Sequence, residues 1–481
     1  MSTYVEHNDF IELSTEQQEL VSAEQAWHYS IVPKAMLDHK LALFISDQVD
    51  GDELLDELEI LFGCEVELEA IQDEIIKKTL SKYYRGKKKS TRKVKAIDGK
   101  NAEDFLDQLI VEANELGSSD IHIETFDSRC RVRIRIDGML VERYTIKKDD
   151  YPALINKIKI KSNLDISEKR LPQDGRIIFK SAQDKFDIRV SVLPTLHGEK
   201  VVLRLLSNDA TEIDIKELGF GEEELRNYME GVKKPHGILL ISGPTGSGKT
   251  TTLYATLKLL NDEKTNIMTV EDPIEYTLEG INQVQLKESI GLNFASALRT
   301  FLRQDPDVIM VGEIRDGETA QIAVRAALTG HLVLSTIHTN SAWGTVSRLA
   351  DMGLPSYLIA GTLNTTVAQR LLRKLCPHCK RKESFDEQFF PINYTAPRKI
   401  TDHYVPVGCE HCHFTGYAGR KAIYEVIPID NELSDLIKNN EFNVDEQLQK
   451  KKIKKLSDQA FQIFEKGETS IEEVYSILLN A

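Results

Sequence analysis

The sequence predicts a multidomain α/β protein built around one mostly parallel sheet, and three features of its 481 residues indicate this. The apolar run 238–241 is followed by a glycine-rich loop and then by a helical pattern. Further apolar runs at 267–270, 308–311 and 332–334 alternate with helical patterns, which is typical of a parallel sheet covered on both faces. The chain is too long for a single hydrophobic core, so several domains are expected.

The glycine-rich loop has the P-loop pattern of phosphate-binding proteins. Its candidate binding residues are Gly243, Pro244, Thr245, Gly246, Ser247, Gly248, Lys249, Thr250 and Thr251. The glycines allow backbone N–H groups to turn toward a phosphate, and the next helix points its positive dipole end at the same anion. Lys249 would reach the β- and γ-phosphates, and the Thr250 hydroxyl would bind Mg²⁺. The loop therefore predicts binding of a nucleoside triphosphate.

Acids and a histidine follow the other strands of the predicted sheet. Ligands of such sheets lie at the carboxyl ends of the strands, so Glu271, Glu313 and His338 are expected near the phosphates. Glu313 follows an apolar strand, which is the Walker B arrangement, and we expect it to orient the attacking water. Glu271 is a second acid that could take this role instead. His338 is a candidate γ-phosphate sensor, whereas His331 has about equal chances of a structural role.

Several arginines are candidates for phosphate or intersubunit contacts. Arg299 and Arg303 are four residues apart and share a helical face, where a surface salt bridge is the simpler interpretation. Their position beside a nucleotide site favours a phosphate or a neighbouring subunit. The segment 131–136 alternates basic and apolar residues as a half-buried strand, and further arginines follow at strand and turn positions. Some of these should also reach a phosphate or a neighbouring subunit.

Four of the six cysteines form two C-x-x-C pairs separated by 29 residues. In a cytosolic chain this spacing favours a four-thiolate Zn²⁺ site over disulfides, with Cys376, Cys379, Cys409 and Cys412 as ligands. Four thiolates leave no open coordination position for a substrate, so the predicted role of the zinc is structural. The basic approach to this site is either a docking surface or a solvated rim. Cys64 and Cys130 are expected to be small buried residues.

Composition limits the possible functions. The 76 acidic and 61 basic residues give a net charge of −15, which disfavours nucleic-acid binding as the main activity. A nucleic-acid motor is therefore the less favoured alternative. No apolar run is long enough to cross a bilayer, and the polar residues 1–7 are unlike a signal peptide, so a cytoplasmic protein is expected. The basic segment 85–95 is predicted to be a flexible linker, with contact to anionic lipid as the alternative.

These patterns divide the chain into six segments. They are an N-terminal docking domain (1–84), a basic linker (85–100), a second N-terminal domain (101–209), the nucleotide-binding core (210–369), a zinc subdomain (370–425) and a C-terminal helical region (426–481). No catalytic constellation is found in the first segment, which we therefore assign to docking or regulation.

Together these residues resemble the secretion ATPases that drive type II secretion and type IV pilus assembly. The matching motifs are Walker A (243–250), the aspartate box (271–275), Walker B (308–316), the histidine box (329–339), the segments 170–176 and 298–307, and the tetracysteine region. The resemblance implies a RecA-like ATPase core preceded by a PAS-like α+β domain. It also implies Mg²⁺-dependent ATP hydrolysis, with Arg176, Arg189, Arg299 and Arg303 gathered around ATP.

The resemblance further implies a homo-hexamer and membrane partners. These are an inner-membrane platform protein and the cytoplasmic domain of a bitopic inner-membrane protein that binds the N-terminal domain, so membrane association would be peripheral. The tetracysteine insertion is similar to that of assembly ATPases and is normally missing from retraction ATPases. No arginine- and leucine-rich motif for cyclic di-GMP is found, so no such regulation is predicted. A single N-terminal module and modest length favour type II secretion over pilus extension.

Overall fold

The computed structural model describes residues 10–11, 13, 17, 20–21, 23–37, 40–49, 51–83, 95–97, 102–180, 185–206 and 214–479. The chain divides into two compact units, 1–93 and 94–481. Most of the predicted basic linker lies outside the described residues. Among the helices that the structure describes, none combines the length and apolar character that a bilayer span requires.

The first unit is a small α/β module. Its elements are α1 (Ala23–Tyr29), β1 (Ile31–Leu37), β2 (Lys40–Ser46), α2 (Gly51–Phe62), β3 (Glu65–Ile71) and α3 (Asp73–Tyr83). β1 and β2 are antiparallel, while β2 and β3 are parallel because α2 crosses between them. Helix α2 ends at Gly63, whose φ of +65° is a left-handed conformation that glycine adopts easily.

The second unit begins with a seven-stranded sheet in the order β4-β7-β6-β5-β10-β9-β8. Its elements are β4 (Lys95–Ile97), α4 (Ala102–Glu115), β5 (Asp120–Thr125), β6 (Cys130–Ile136), β7 (Met139–Ile146), α5 (Tyr151–Lys161), β8 (Gln173–Lys180), β9 (Lys185–Thr195) and β10 (Gly198–Leu206). Neighbouring strands are antiparallel except β4 and β7. One face packs on α4 and α5, so this part of the chain is α+β.

The other face of this sheet carries charged side chains, including two arginines of β6. Arg131 Nε and Arg133 Nε donate to one carboxylate oxygen of Glu124, at 2.9 and 2.8 Å. Burial alone would raise the pKa of Glu124, but the hydrogen bonds from Arg133 and Arg131 lower it to about 2. Arg131 and Arg133 are therefore paired with an acid of their own sheet.

The nucleotide-binding core is a second seven-stranded sheet, in the order β13-β12-β14-β15-β11-β16-β19. It contains α6 (Glu222–Val232), β11 (Gly237–Ser242), α7 (Lys249–Leu260), β12 (Ile267–Glu271), β13 (Asn282–Gln285), α8 (Phe294–Phe301), β14 (Val308–Val311), α9 (Gly317–Leu328), β15 (Leu332–Ile337), α10 (Gly344–Asp351), α11 (Ser356–Thr362), β16 (Leu363–Leu375) and β19 (Tyr417–Pro428). All neighbours are parallel except β16 and β19. The predicted parallel sheet is confirmed.

Helices cover both faces of this sheet, as the apolar runs require. Leu239 and Ile241 of β11 pack with α6 and α7, whereas Ile238 and Leu240 belong to the larger core formed with α8 and the helices that follow. Those helices include α12 (Asn431–Lys438), α13 (Asp445–Lys450), α14 (Leu456–Glu465) and α15 (Ile471–Leu478).

The predicted boundary at residue 369 falls inside β16, which continues to Leu375. The segment between β16 and β19 holds the cysteines and a two-stranded sheet of β17 (Arg381–Ser384) and β18 (Asp402–Val405). The strands that enter and leave this segment are thus part of the sheet that holds the P-loop.

Candidate nucleotide site and metal centre

The glycine-rich loop joins the buried strand β11 to α7 at the carboxyl edge of the parallel strands. Gly243, Gly246 and Gly248 have φ values of +149°, +81° and +86°, which side chains rarely allow. A Cβ atom on Gly243 would lie 2.5 Å from the Gln369 carbonyl oxygen and 2.6 Å from the Ser247 hydroxyl oxygen. Position 243 therefore requires glycine, because any Cβ atom there would clash with these two oxygens.

A lysine and a serine of the loop have the contacts expected of an anion site. Lys249 Nζ donates to the carbonyl oxygens of Gly243 at 2.8 Å and Pro244 at 3.0 Å. Burial lowers the pKa of Lys249, while the charge of Glu313 raises it. The Ser247 hydroxyl is buried and has no hydrogen-bond partner among the described residues. An orphaned donor beside a half-buried cation fits a phosphate group.

Glu313 lies just beyond β14 and faces two basic side chains. Arg315 donates to its Oε1 atom, and His338 Nε2 lies 3.5 Å from its Oε2 atom. His338 follows β15 directly, so two neighbouring strands place this acid and this histidine together. The Glu313 side chain is 17% exposed, which leaves its carboxylate accessible to a water molecule.

Glu271, the other candidate acid, has different surroundings. It is 3% exposed and accepts hydrogen bonds from Tyr254, from Thr269 Oγ1 at 2.7 Å and from Gln283 Nε2 at 3.1 Å. Three donors from α7, β12 and β13 therefore hold this carboxylate. Glu271 is thus more enclosed than Glu313, and the choice of Glu313 as the acid that orients the water stays a prediction.

His331 lies at the opposite edge of the sheet from the P-loop. It precedes β15, and its Nδ1 atom is 2.8 Å from the Ala326 carbonyl oxygen and 3.1 Å from Thr329 Oγ1. These contacts stabilise the end of α9, which favours the structural interpretation of this histidine.

One of the four candidate arginines contacts the aspartate box within the same chain. Arg189 of β9 donates to the Ile274 carbonyl oxygen, and its Nη1 atom lies 3.1 Å from Glu275 Oε2. The second sheet thus reaches the segment that follows Glu271.

The other three candidate arginines contact side-chain or backbone oxygens outside the P-loop. Arg176 pairs with Asp187 on the adjacent strand, and Arg299 pairs with Glu318 of α9. Arg303 Nη1 donates to the Arg299 carbonyl oxygen at 2.8 Å. A role for these arginines at ATP stays a prediction.

Two residues beside the P-loop were not selected from the sequence as site residues. Gln369 Oε1 accepts from Thr252 Oγ1 at 3.0 Å, and Arg370 donates to the carbonyl oxygens of Gln369 and Asn340 at 2.9 and 2.8 Å. In the sequence, Arg370 is one of the basic residues that precede the first cysteine pair. Arg370 lies beside the P-loop because Ser242 pairs with Ala368, a long-range contact that no local sequence pattern indicates.

The four predicted zinc ligands come together between β16 and β19. Their sulfur atoms all lie within 4.8 Å of one another, and three of the Sγ–Sγ distances are 3.7 or 3.8 Å. A tetrahedron with Zn–S bonds of about 2.3 Å has edges of about 3.8 Å. Burial alone would raise the pKa of Cys412, but backbone N–H groups of Cys409 and Gly416 lower it to about 7. The residues fit a four-thiolate metal site.

A P-loop at the carboxyl edge of a parallel sheet, with an acid at the end of a neighbouring strand, defines a P-loop nucleoside triphosphatase. Residues 95–476 match the family model described as "Type II/IV secretion system protein". The chain belongs to this family and is an ATP-hydrolysing secretion ATPase, as its resemblance to secretion ATPases implied.

Two curated relatives are similar over most of the chain. The type IV pilus assembly ATPase PilB of Myxococcus xanthus is 44% identical over 446 residues, which cover 87% of this chain and 79% of the relative. The type II secretion system protein E of Pseudomonas aeruginosa is 50% identical over 335 residues, which cover 70% of this chain and 67% of the relative.

Two solved structures are similar in fold. The Legionella pneumophila ATPase DotB aligns with a TM-score of 0.60 at 23% identity, covering 79% of this chain and 96% of that one. The pilus retraction motor PilT, solved with bound ADP, aligns with a TM-score of 0.53 at 28% identity, covering 77% and 96%. The fold is therefore shared with the DotB ATPase and with the pilus retraction motor PilT.

Gly243→Ala should weaken nucleotide binding, because the new Cβ would displace the Gln369 backbone or the Ser247 hydroxyl. About 1.4 kcal/mol of strain transmitted to the site would lower affinity about tenfold. Titration with a fluorescent ATP analogue measures this. Gly361→Ala on α11 is the matched control, since a Cβ there meets nothing within 4 Å and affinity should not change. Equal affinities of both variants would contradict the role assigned to Gly243.

Proposed function

We propose that this chain is the cytoplasmic hexameric motor that hydrolyses ATP to power pseudopilus assembly and protein export by a type II secretion system. The supporting observation is the position of Glu313, whose charge acts on Lys249 of the P-loop while its carboxylate faces His338. Hydrolysis needs an anchored triphosphate and an oriented water, and this arrangement supplies groups for both.

The proposed reaction is in-line attack of water on the γ-phosphate. The loop N–H groups and Lys249 hold the phosphates, and Glu313 accepts a hydrogen bond from the attacking water. His338, whose Nε2 atom lies 3.5 Å from Glu313, would respond to the γ-phosphate. When bound, Mg²⁺ would be held by the Thr250 hydroxyl and would supply positive charge that offsets the charge of the phosphates. The products are ADP and phosphate, and their release changes the charge that the loop has to balance.

Movement would arise where the second sheet meets the aspartate box. Arg189 binds the segment 274–275 within the chain, so a change at this segment reaches the second sheet. In a hexamer, Arg176, Arg299 and Arg303 would approach ATP bound by the same or a neighbouring subunit. The ion pairs of Arg176 with Asp187 and of Arg299 with Glu318 are open to solvent, and such surface pairs contribute only about 0 to 1 kcal/mol, so a phosphate can replace them. Arg303 instead donates to a backbone carbonyl oxygen, that of Arg299.

The remaining assignments follow the same family. The first unit would bind the cytoplasmic domain of a bitopic inner-membrane protein, and the hexamer would act on an inner-membrane platform protein, which gives a peripheral association with the inner membrane. The basic linker could add contact with anionic lipid. The net charge of −15 argues against a nucleic-acid substrate. Zinc in the cysteine cluster would be structural, since all four ligands come from the chain.

Glu313→Gln should retain ATP binding and reduce turnover at least about a hundredfold, because the amide cannot accept the water proton. Thermal unfolding should stay unchanged. Glu271→Gln should instead lower stability and activity together, since it disturbs a buried carboxylate with three donors. Steady-state ATPase kinetics and calorimetry separate the two patterns.

Glu279→Gln, at an exposed acid before β13, is the matched control for this pair and should behave as the wild-type chain. Full turnover by Glu313→Gln would remove Glu313 from the proposed role.

The purified chain should contain about one zinc per subunit, and Cys379→Ser should lose it, because a structural site needs its full set of ligands. Loss of the metal should also lower the unfolding temperature. Cys64→Ser, at a half-buried cysteine outside the cluster, should keep the metal. Elemental analysis checks the stoichiometry. A wild-type chain without zinc and with intact disulfides would refute the metal site.

Pilus extension is the second candidate function, and the extent of one match favours it. The pilus assembly relative aligns with 87% of this chain, against 70% for the secretion relative. Deleting the gene in its own host distinguishes the two. Loss of exported proteins from the medium with surface pili retained supports type II secretion, whereas loss of pili with export retained supports pilus extension.

A further inference from the structure

Arg370 lies against the first glycine of the P-loop and is bonded only to neutral groups. Its Nη1 atom is 3.2 Å from the position that a Cβ on Gly243 would occupy. Its two hydrogen-bond acceptors are the carbonyl oxygens of Gln369 and Asn340. Among the residues that the structure describes, this half-buried guanidinium therefore has no carboxylate partner within 4.0 Å.

A second cation is close to the first. Burial lowers the pKa of Arg370, but a guanidinium remains protonated in proteins. Its charge also lowers the pKa of Lys249, whose Nζ atom is bonded to the carbonyl oxygen of the same Gly243. Two positive charges at one end of a phosphate-binding loop are costly to hold together without an anion. A bound terminal phosphate would relieve this repulsion.

The nearest buried acid has other partners. Arg370 and Pro244 border a cavity of about 470 Å³, and Glu425 also lines it. The Glu425 carboxylate accepts from the backbone N–H groups of Ala342 at 3.0 Å and Leu456 at 3.3 Å. Glu425 therefore holds the loop after His338 against the start of α14, and in the described part of the chain it forms no ion pair with Arg370 within 4.0 Å.

The contact with Asn340 links two parts of the site. Asn340 comes two residues after His338, which faces Glu313. One guanidinium thus joins the loop of His338 to β16 at the place where β16 passes Gly243. A phosphate that attracts this guanidinium would act on the position of the His338 loop through the same side chain.

We propose that Arg370 is a positioning residue for ATP hydrolysis, which favours the triphosphate over the diphosphate by its charge and holds the His338 loop by its hydrogen bonds. The inference rests on the proposed function. It assigns a role to a residue of β16, outside the P-loop and outside the two acid-bearing strand ends.

Arg370→Gln and Arg370→Lys test the charge and the geometry separately. Arg370→Gln should lower the preference for a non-hydrolysable ATP analogue over ADP about tenfold and reduce kcat on the order of tenfold to a hundredfold. Arg370→Lys should restore the nucleotide preference, since it keeps the charge. It should not restore kcat, because one ammonium cannot reproduce the guanidinium contacts to both carbonyl oxygens. Lys455→Gln is the matched control.

Lys455 lines the same cavity but pairs with Asp445 at 2.9 Å, so its loss should leave nucleotide preference and kcat unchanged. Equal weakening of both nucleotides in Arg370→Gln, together with a lower unfolding temperature, would show mere structural support and overturn the proposal. Unchanged kinetics, or the same effects in Lys455→Gln, would also overturn it. The preference between the ATP analogue and ADP is measured without hydrolysis. A wild-type chain that fails to hydrolyse ATP would therefore refute the proposed motor function but not the nucleotide preference assigned to Arg370.

Discussion

The parallel pairing of β11 with β15 on one side and β16 on the other is the constraint on which the rest of the site depends. Ser242 is paired with Ile337 and with Ala368, so the residues that follow these three positions have to emerge at the same edge. They are Gly243, His338 and Gln369, from segments far apart in sequence. Because β14 pairs with β15, Glu313 joins them. A shift of one residue in either register would turn the side chains of that strand to the opposite face of the sheet and separate the site residues from one another.

The second sheet is tied to this core at two places in the same chain. Arg189 binds the aspartate-box segment, and Asp137, in the turn between β6 and β7, accepts from the Gly419 N–H at 2.7 Å near the start of β19. One tie lies next to the nucleotide site and the other next to the strand that leaves the cysteine cluster. A motor that changes how its modules pack needs contacts of this kind, polar and few, so that they can be exchanged at small cost.

The parts of the site predicted from sequence are those whose chemistry is local. The P-loop, the acid after an apolar strand and the paired cysteines each depend on residues within a short segment or on a recognisable spacing. In the structure the loop joins a buried strand to a helix, Glu313 follows a buried strand, and the four cysteine sulfur atoms lie together. The remainder depends on tertiary packing. Nothing near Glu271 in sequence indicates that Tyr254 and Gln283 donate to it, and nothing near Arg370 indicates the P-loop. Nor does the local sequence indicate that β16 continues past residue 369 to Leu375, since the pairing of β16 with β19 is long-range.

The position of the cysteine cluster has a mechanical consequence for the sheet. β19 is an edge strand, and its partner β16 extends past the level of the P-loop to Leu375, one residue before Cys376. Ladders of this kind fray from their free ends, where no further pair protects the terminal hydrogen bonds. A metal held by thiolates from both ends of the intervening segment would join the two strands at this end and so act as a clasp on the ribbon. By preventing the ribbon from opening at its tip, the clasp would keep the stretch that passes Gly243 in register while the subunit moves.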